Sequence, residues 1–455
     1  MKILKNTKYV NSEFLFIIFG LALTFLLAVL YTRIPLKHYL IFVGGIIFII
    51  LTFYRIEWSI GLLIASMLYE RGFIPGIISV SLTRFLSLPV LLACVIKILI
   101  KHKKFHFQKI KDTIILVLFI WMIPSLFYAK NISQVQISLF TYLQLIFTYF
   151  ILKTIIENER VLNKVLETML IAGAGIAIFV IISIINNPDA LIYTDYLNSS
   201  ERVTGSSDDP NKFAMGLVFI LPFGIYLFLT KNKLFFIPVA LFSFLILSTF
   251  SRGGILGFTV VIILSLVQII KLRKNSIIYS FLFLLILLGS FRLFNKGNKF
   301  IKRIESVQKL ENANTRLDMI VTALDMGAKN PVLGVGFKNF EENSHLYGTK
   351  NHYRRSSHNG YLEIFATLGL PGFLLLMGLI YSAFKNIKNY QNDNIIKSKN
   401  MNRHNYLLMA NFIKISFIGY LVAACFLGLI SQKFFWVLLV FSSILQKCHE
   451  NYQEG

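Results

Sequence analysis

Residues 213–230 read FAMGLVFILPFGIYLFLT, and after Lys231-Asn232-Lys233 residues 234–250 read LFFIPVALFSFLILSTF. Neither run holds a charged side chain. At 1.5 Å per residue, 213–230 makes about 27 Å of helix, close to the roughly 30 Å of a bilayer's hydrocarbon core. Two such runs, joined by three residues of which two are lysines, read as a transmembrane hairpin.

Working outward, the same pattern recurs along the whole chain. Apolar runs fall at 14–31, 39–54, 57–70, 83–100, 113–128, 135–156, 165–186, 253–270, 276–294, 360–380, 405–430 and 434–446. The 57–70 run is short and ends in Tyr69-Glu70-Arg71. Of 455 residues 56% are hydrophobic and 15% charged, against about 25% charged in soluble domains. A soluble enzyme, a secreted disulfide scaffold and a disordered chain are excluded. The expected fold is an all-α polytopic membrane protein of about 12–14 transmembrane helices, one integral-membrane domain over 1–455. The run from Phe14 to Tyr31 follows a Lys-bearing start, but it lacks a small-residue cleavage site and reads as a retained helix.

The formal charge is +24, from 46 Lys and Arg against 22 Asp and Glu. In a membrane chain this excess serves cytoplasmic loops facing anionic lipid, so nucleic acid is not an expected partner and membrane lipids are. Lys101, Lys103, Lys104, Lys109, Lys111, Lys271, Arg273, Lys274, Lys385 and Lys388 fall in segments on the N-terminal side, and opposing short loops hold far fewer. The positive-inside rule then places both termini in the cytoplasm, in a bacterial inner membrane. Cys94, Cys425 and Cys448 show no disulfide or metal spacing. Lys97 and Lys153 sit near the inner ends of their spans and are expected to snorkel; Lys414 lies deeper.

Three polar segments follow from this frame: outer loops over 187–212 and 295–359, and a cytoplasmic loop over 381–404. The 295–359 loop is expected to be a folded cap carrying short helices. Thr315 and Asp318 have capping-box spacing, Leu317, Ile320, Val321 and Leu324 share a helix face, and Asn330-Pro331 ends the run. Phe300, Ile304 and Val307 make a second stripe suited to a membrane surface.

Chemistry-bearing residues gather at the outer boundary in four places. Arg202 precedes Asp208-Asp209-Pro210-Asn211, where Asp209 reads as an N-cap and Pro210 as the first helical residue. The plainer reading of Asp209 and Asn211 is a helix start; the adjacent carboxylates lack a third metal ligand. Next, Ser251-Arg252-Gly253-Gly254 opens a span whose N-terminal N–H groups and dipole face outward, an anion site where the glycines admit a close ligand and Arg252 pairs bidentately with phosphate. The alternative is a tight turn with an Arg among headgroups. Third, Arg316 stands in the first turn of the loop helix, against the dipole, so it implies either a bound anion or a surface salt bridge. Last, His358-Asn359-Gly360-Tyr361-Leu362-Glu363 enters the next span, where the helix end favours a neutral imidazole near pH 7; a cap or headgroup contact is the plainer role. His345 and His352 are secondary candidates. His38, His102, His106, His404 and His449 show no partner pattern and read as solvated. No metal, Walker or nucleophile-elbow motif accompanies these segments.

In this order and topology the four segments resemble the bacterial O-antigen ligase and O-antigen polymerase family. The matching pieces are Arg202-x-x-Gly205 with Asp209-Pro210-Asn211, Ser251-Arg252-Gly253-Gly254, Thr315-Arg316-Leu317-Asp318 through Asn330-Pro331-x-x-Gly334-x-Gly336, and His358-Asn359-x-Tyr361-Leu362-Glu363 running into Leu368-Gly369-Leu370-Pro371-Gly372. Met319-Ile320 stands where the family usually has a bulky aromatic. The resemblance implies a GT-C-like, metal-independent membrane glycosyltransferase with no cofactor. Its donor would be a glycan on undecaprenyl diphosphate, and its acceptor another glycan or a lipid core. Arg252, Arg316 and His358 would be catalytic, with Arg202, Gly253, Gly254, Asn211, Asn359 and Glu363 binding substrate. The competing readings are a lipid-linked glycan flippase or transporter, which needs a continuous polar path, and an envelope scaffold, which would tolerate loss of Arg252 and His358.

Overall fold

The computed structural model describes residues 44–45, 48–70, 72–74, 78–186, 192–195, 200–205, 209–272, 311–348, 354–396, 401–429 and 432–454. The expected runs 14–31 and 276–294, and the stripe of Phe300, Ile304 and Val307, lie outside the described residues, as does His38. Within them the chain is helical: α1 Ile56–Ser66, α2 Leu82–Ile100, α3 Lys109–Met122, α4 Ile132–Ile155, α5 Glu159–Asn186, α6 Pro210–Thr230, α7 Phe236–Ser248, α8 Arg252–Leu272, α9 Glu311–Lys329, α10 Gly360–Ile396, α11 Met401–Ala423 and α12 Lys433–Glu454. Eight helices among the described residues are long and apolar enough to cross a membrane. The protein is an all-α polytopic membrane protein. Two small antiparallel hairpins, β1 Gly72–Ile74 with β2 Ile78–Ser81 and β3 Ile192–Asp195 with β4 Ser200–Val203, interrupt loops that the sequence left irregular.

Helix α6 is central. It buries 83% of its apolar window where α5 buries 28%, because α6 is enclosed by protein and α5 turns one side outward. Helix α12 is buried continuously from Phe434 to Leu445. Tight crossings use small residues, as expected where lipid gives no hydrophobic drive to helix association. A Cβ on Gly257 would meet the Gly419 carbonyl oxygen at 2.8 Å, and one on Gly61 would meet the Thr168 Cβ at 2.7 Å.

Contacts at the helix ends fix relative directions. The end of α1 meets the start of α2 through Ser66 and Thr83. Gly216, early in α6, packs on Leu68 and on Phe434 at the start of α12. At the opposite end Tyr390 of α10 donates to Glu159, the first residue of α5, and Glu57 faces Lys164. Helices α1 and α5 therefore start at one end of the bundle, and α2, α6 and α12 at the other.

Several boundaries differ from the sequence reading. Helix α1 has 11 residues, about 16 Å, and does not span alone. Helix α10 runs on to Ile396 and α11 starts at Met401, so most of the expected loop 381–404 is helix. Helix α9 begins at Glu311, which puts Thr315 inside the helix and not at its cap, while its end at Lys329 agrees with the Asn330-Pro331 stop. The stripe of Leu317, Val321 and Leu324 stays exposed. The face that packs is Ala323, Met326 and Gly327, because only small or flexible side chains fit against α10, where a Cβ on Gly327 would already meet the Phe365 ring at 2.3 Å.

Lys153 does not snorkel. Its side chain is 1% exposed and paired with Asp112, which is 0% exposed. Asp112 also accepts from the Tyr149 hydroxyl at 2.7 Å and the Gln108 N–H at 2.8 Å. Lys111, read as a loop cation, is buried beside them. Lys414 is exposed.

Candidate functional site at one end of the bundle

Three of the four polar segments open helices, at Asp209, Ser251 and Asn359, and two of these starts are built alike. Phe250 adopts φ 48° ahead of Ser251, and His358 adopts φ 48° ahead of Asn359. Each left-handed residue turns the chain so that the next residue caps a helix. Ser251 Oγ accepts from the Gly254 N–H at 3.1 Å, and Asn359 Oδ1 accepts from the N–H groups of Tyr361 and Leu362, both at 3.1 Å. Asp209 caps α6 in the same manner, accepting from the Asn211 N–H at 2.8 Å, with Pro210 at the first position. Non-glycine residues at positive φ are uncommon and concentrate where surroundings over-determine them.

The starts of α8 and α10 flank one short segment. A Cβ on Gly253 would lie 2.7 Å from the Phe426 Cβ, and one on Gly360 would lie 2.7 Å from the Leu427 carbonyl oxygen and 2.4 Å from the Leu429 nitrogen. Residues 426 and 427 are about 3.8 Å apart along the chain, so both helix starts sit against the turn that leaves α11. Gly254 adds α6 to the group, since its Cβ would meet Ala214 at 2.4 Å. Tyr361 fastens α10 here by donating to the Leu421 carbonyl at 2.9 Å. Arg252 is half-buried and His358 is exposed, with Ser356 Oγ 3.1 Å from its Nε2.

The glycines serve a different purpose from the one expected. The space over Gly253 and Gly254 is filled by Phe426 and Ala214, so these positions let helices approach, not a ligand. The Gly254 N–H is taken by Ser251, which leaves fewer backbone donors than an uncapped helix end offers. Asn211 is likewise engaged, its side-chain amide donating to Asp209 at 2.9 Å. Glu363 is ion-paired with Lys338 at 2.7 Å.

The cap packs onto this end through a break in α10. Gly369 has φ 69° and ψ −171° inside the helix, two residues before Pro371. The backbone groups released there are met one by one. Val335 donates to the Ala366 carbonyl at 3.0 Å, Gly336 to Thr367 at 3.1 Å, and the Trp121 indole to Leu368 at 3.0 Å, while Leu370 donates to the Pro331 carbonyl at 2.7 Å. Such satisfaction is required where water is scarce. On its other side the cap meets the start of α4: the Asn131 N–H donates to Asn339 Oδ1 at 2.7 Å. Arg316 belongs to α9, seven residues or about 10 Å of helix before Ala323, which packs with Leu362 and Ala366 of α10. Arg202 lies on β4, its backbone opposite Tyr193.

Other residues here escaped the sequence reading. Lys338, at φ 59°, holds Glu363. Arg355 stands three residues before His358, its backbone N–H bonded to Ser344 Oγ at 3.0 Å, and Arg354 pairs with Glu342. The basic run Arg354-Arg355 was visible; its link to the 338–344 turn was not. The outlying histidines also differ: His106 pairs with Glu450 and His449 is buried. Among the described residues, no three His, Cys, Asp or Glu side chains form a metal-ligand group.

The class is thus defined as a polytopic membrane protein in which the capped helix starts that carry an arginine and a histidine lie at one end of the bundle. Residues 237–377 match the O-antigen ligase family. That stretch holds Arg252, Arg316, His358 and the broken α10, so the family likeness falls on the part of this membrane-spanning chain that carries the candidate site. No curated protein matches the chain.

Proposed function

We propose that the protein transfers an oligosaccharide from undecaprenyl diphosphate to an acceptor sugar hydroxyl at the outer leaflet of the inner membrane, without a metal or other cofactor. The observation that carries the reading is the shared seat of the α8 and α10 starts on 426–429, which sets Arg252 and His358 at the same end of the bundle within the family-matched stretch. Arg252 and Arg316, with Arg202 in support, hold the diphosphate and stabilise its charge as it leaves. His358 takes the proton from the acceptor hydroxyl as that oxygen attacks the anomeric carbon. One displacement inverts the centre. Asn359 and Glu363 keep His358 and the acceptor in register, and Gly253 and Gly254 act by letting α8 seat deeply. The termini and the Lys-rich helix ends lie on the cytoplasmic side.

The test is purified protein in liposomes with labelled lipid-linked oligosaccharide. New glycosidic bonds of inverted configuration, formed equally with and without EDTA, are expected. Label crossing the bilayer without bond formation would replace this reading with a flippase.

A further inference from the structure

At the end of the bundle opposite the candidate site, a cavity of about 420 Å³ opens between α3, α10 and α12. From Gly360 to Asn386 of α10, which reaches from one site to the other, is about 39 Å of helix. The cavity is therefore no part of the candidate glycan site. Its wall carries Lys109, Lys111 and Lys385, with Asn386, Asn389 and Gln446 between them. The one acidic residue lining it, Glu450, is already engaged by His106 and by the Gln446 amide at 2.9 Å.

Lys111 makes the cavity unusual. Its side chain is fully buried, yet Nζ bonds only neutral acceptors, the Leu439 carbonyl at 3.2 Å and Ser442 Oγ at 2.7 Å. The neighbouring carboxylate, Asp112, is taken by Lys153, Tyr149 and Gln108. Two lysines thus share one carboxylate, and a buried charge left so is costly unless a counter-charge answers it. The rim is apolar and open: Phe107 is 50% and Ile110 63% exposed.

We infer that this cavity binds the phosphate headgroup of an anionic phospholipid. The phosphodiester sits among Lys109, Lys111 and Lys385, the amides hydrogen-bond its oxygens, and the acyl chains lie along Phe107 and Ile110. A rim of exposed apolar side chains selects a lipid over a soluble anion. Basic pockets between transmembrane helices are suited to such headgroups.

The experiment uses the full chain in detergent, with phosphatidylglycerol, phosphatidylcholine and inorganic phosphate as separate probes, read by thermal unfolding and by lipid retained in native mass spectrometry. The exposed pair is changed together, Lys109→Gln with Lys385→Gln, and Lys111→Met is made separately. Phosphatidylglycerol is expected to bind and raise the melting temperature while phosphatidylcholine does not. The double variant is expected to unfold normally without lipid and to bind phosphatidylglycerol about tenfold more weakly or worse. Lys111→Met removes retention. Equal stabilisation by both lipids, equal binding by the double variant, or saturation by inorganic phosphate alone would overturn the inference.

Discussion

At the residue scale, the decisive groups are those whose partners come from elsewhere in the chain. Asp112 binds Lys153, 41 residues away, and Tyr149. Asp112→Ala leaves a buried ammonium unpaired, and a loss of about 3–5 kcal/mol of stability is expected. Adding Lys153→Met should recover part of it; denaturation of the two variants in detergent measures this non-additivity. None of this was legible locally. The sequence placed the span's start at residue 113, and nothing in a linear pattern links positions 112 and 153. Arg252, by contrast, was legible, because Ser-Arg-Gly-Gly ahead of an apolar run announces a helix start with a cation on it. What those glycines touch was not, since Phe426 and Ala214 are distant in sequence. For His358→Ala and Arg252→Ala, glycan transfer is expected to fall at least about 100-fold with expression unchanged, from the usual weight of a general base and an oxyanion donor.

At the scale of elements, the cap and the broken helix are one device. The bonds from 331–336 to the 366–370 break hold α9, the helix bearing Arg316, against α10. Gly334 and Gly369 are the points of closest approach: both have positive φ, and a Cβ would lie 2.3 Å from the Thr367 carbonyl carbon and 2.2 Å from the Val332 oxygen. Gly369→Ala is therefore expected to destabilise the cap by about 1–3 kcal/mol and to reduce transfer although no proposed catalytic group is touched; limited proteolysis of 311–348 reads the loosening. Within the cap, the hydrogen bond from Lys329 and the Gly348 N–H hold the Asp325 carboxyl below its usual value. Its contribution is therefore full above the ordinary carboxylate range and is lost as pH falls through the folded value. Faster hydrogen exchange at Gly348 below about pH 4 is expected, and Asp325→Asn should show it already at neutral pH. The Asn330-Pro331 stop was readable. The side of α9 that packs was not, because its apolar stripe points outward and small residues make the contact.

At the scale of the whole molecule, charge and chemistry are separated along the helix axes. The starts of α6, α8 and α10 gather at one end with the cap, and Lys109, Lys385 and the Asp112 cluster lie at the other. In the proposed orientation, which rests on the positive-inside rule, the latter end is cytoplasmic and the arginine–histidine end would face the leaflet where a lipid-linked glycan is displayed. Cysteine labelling should find Lys385→Cys accessible only from the cytoplasm and Arg355→Cys only from outside; the reverse would invert the protein and remove the proposed substrate. The all-α membrane-spanning architecture was legible from run lengths, since bilayer thickness leaves helices few alternatives.

The most direct measurement separates holding the donor from activating the acceptor. Donor binding and transfer are measured in the same liposomes for Arg252→Ala and for His358→Asn, asparagine being chosen because it tolerates the left-handed backbone. The account expects Arg252→Ala to lose both, and His358→Asn to bind the diphosphate lipid within about twofold of normal while transfer falls by about 10² or more. Normal transfer by His358→Asn, or normal donor binding by Arg252→Ala, would contradict it.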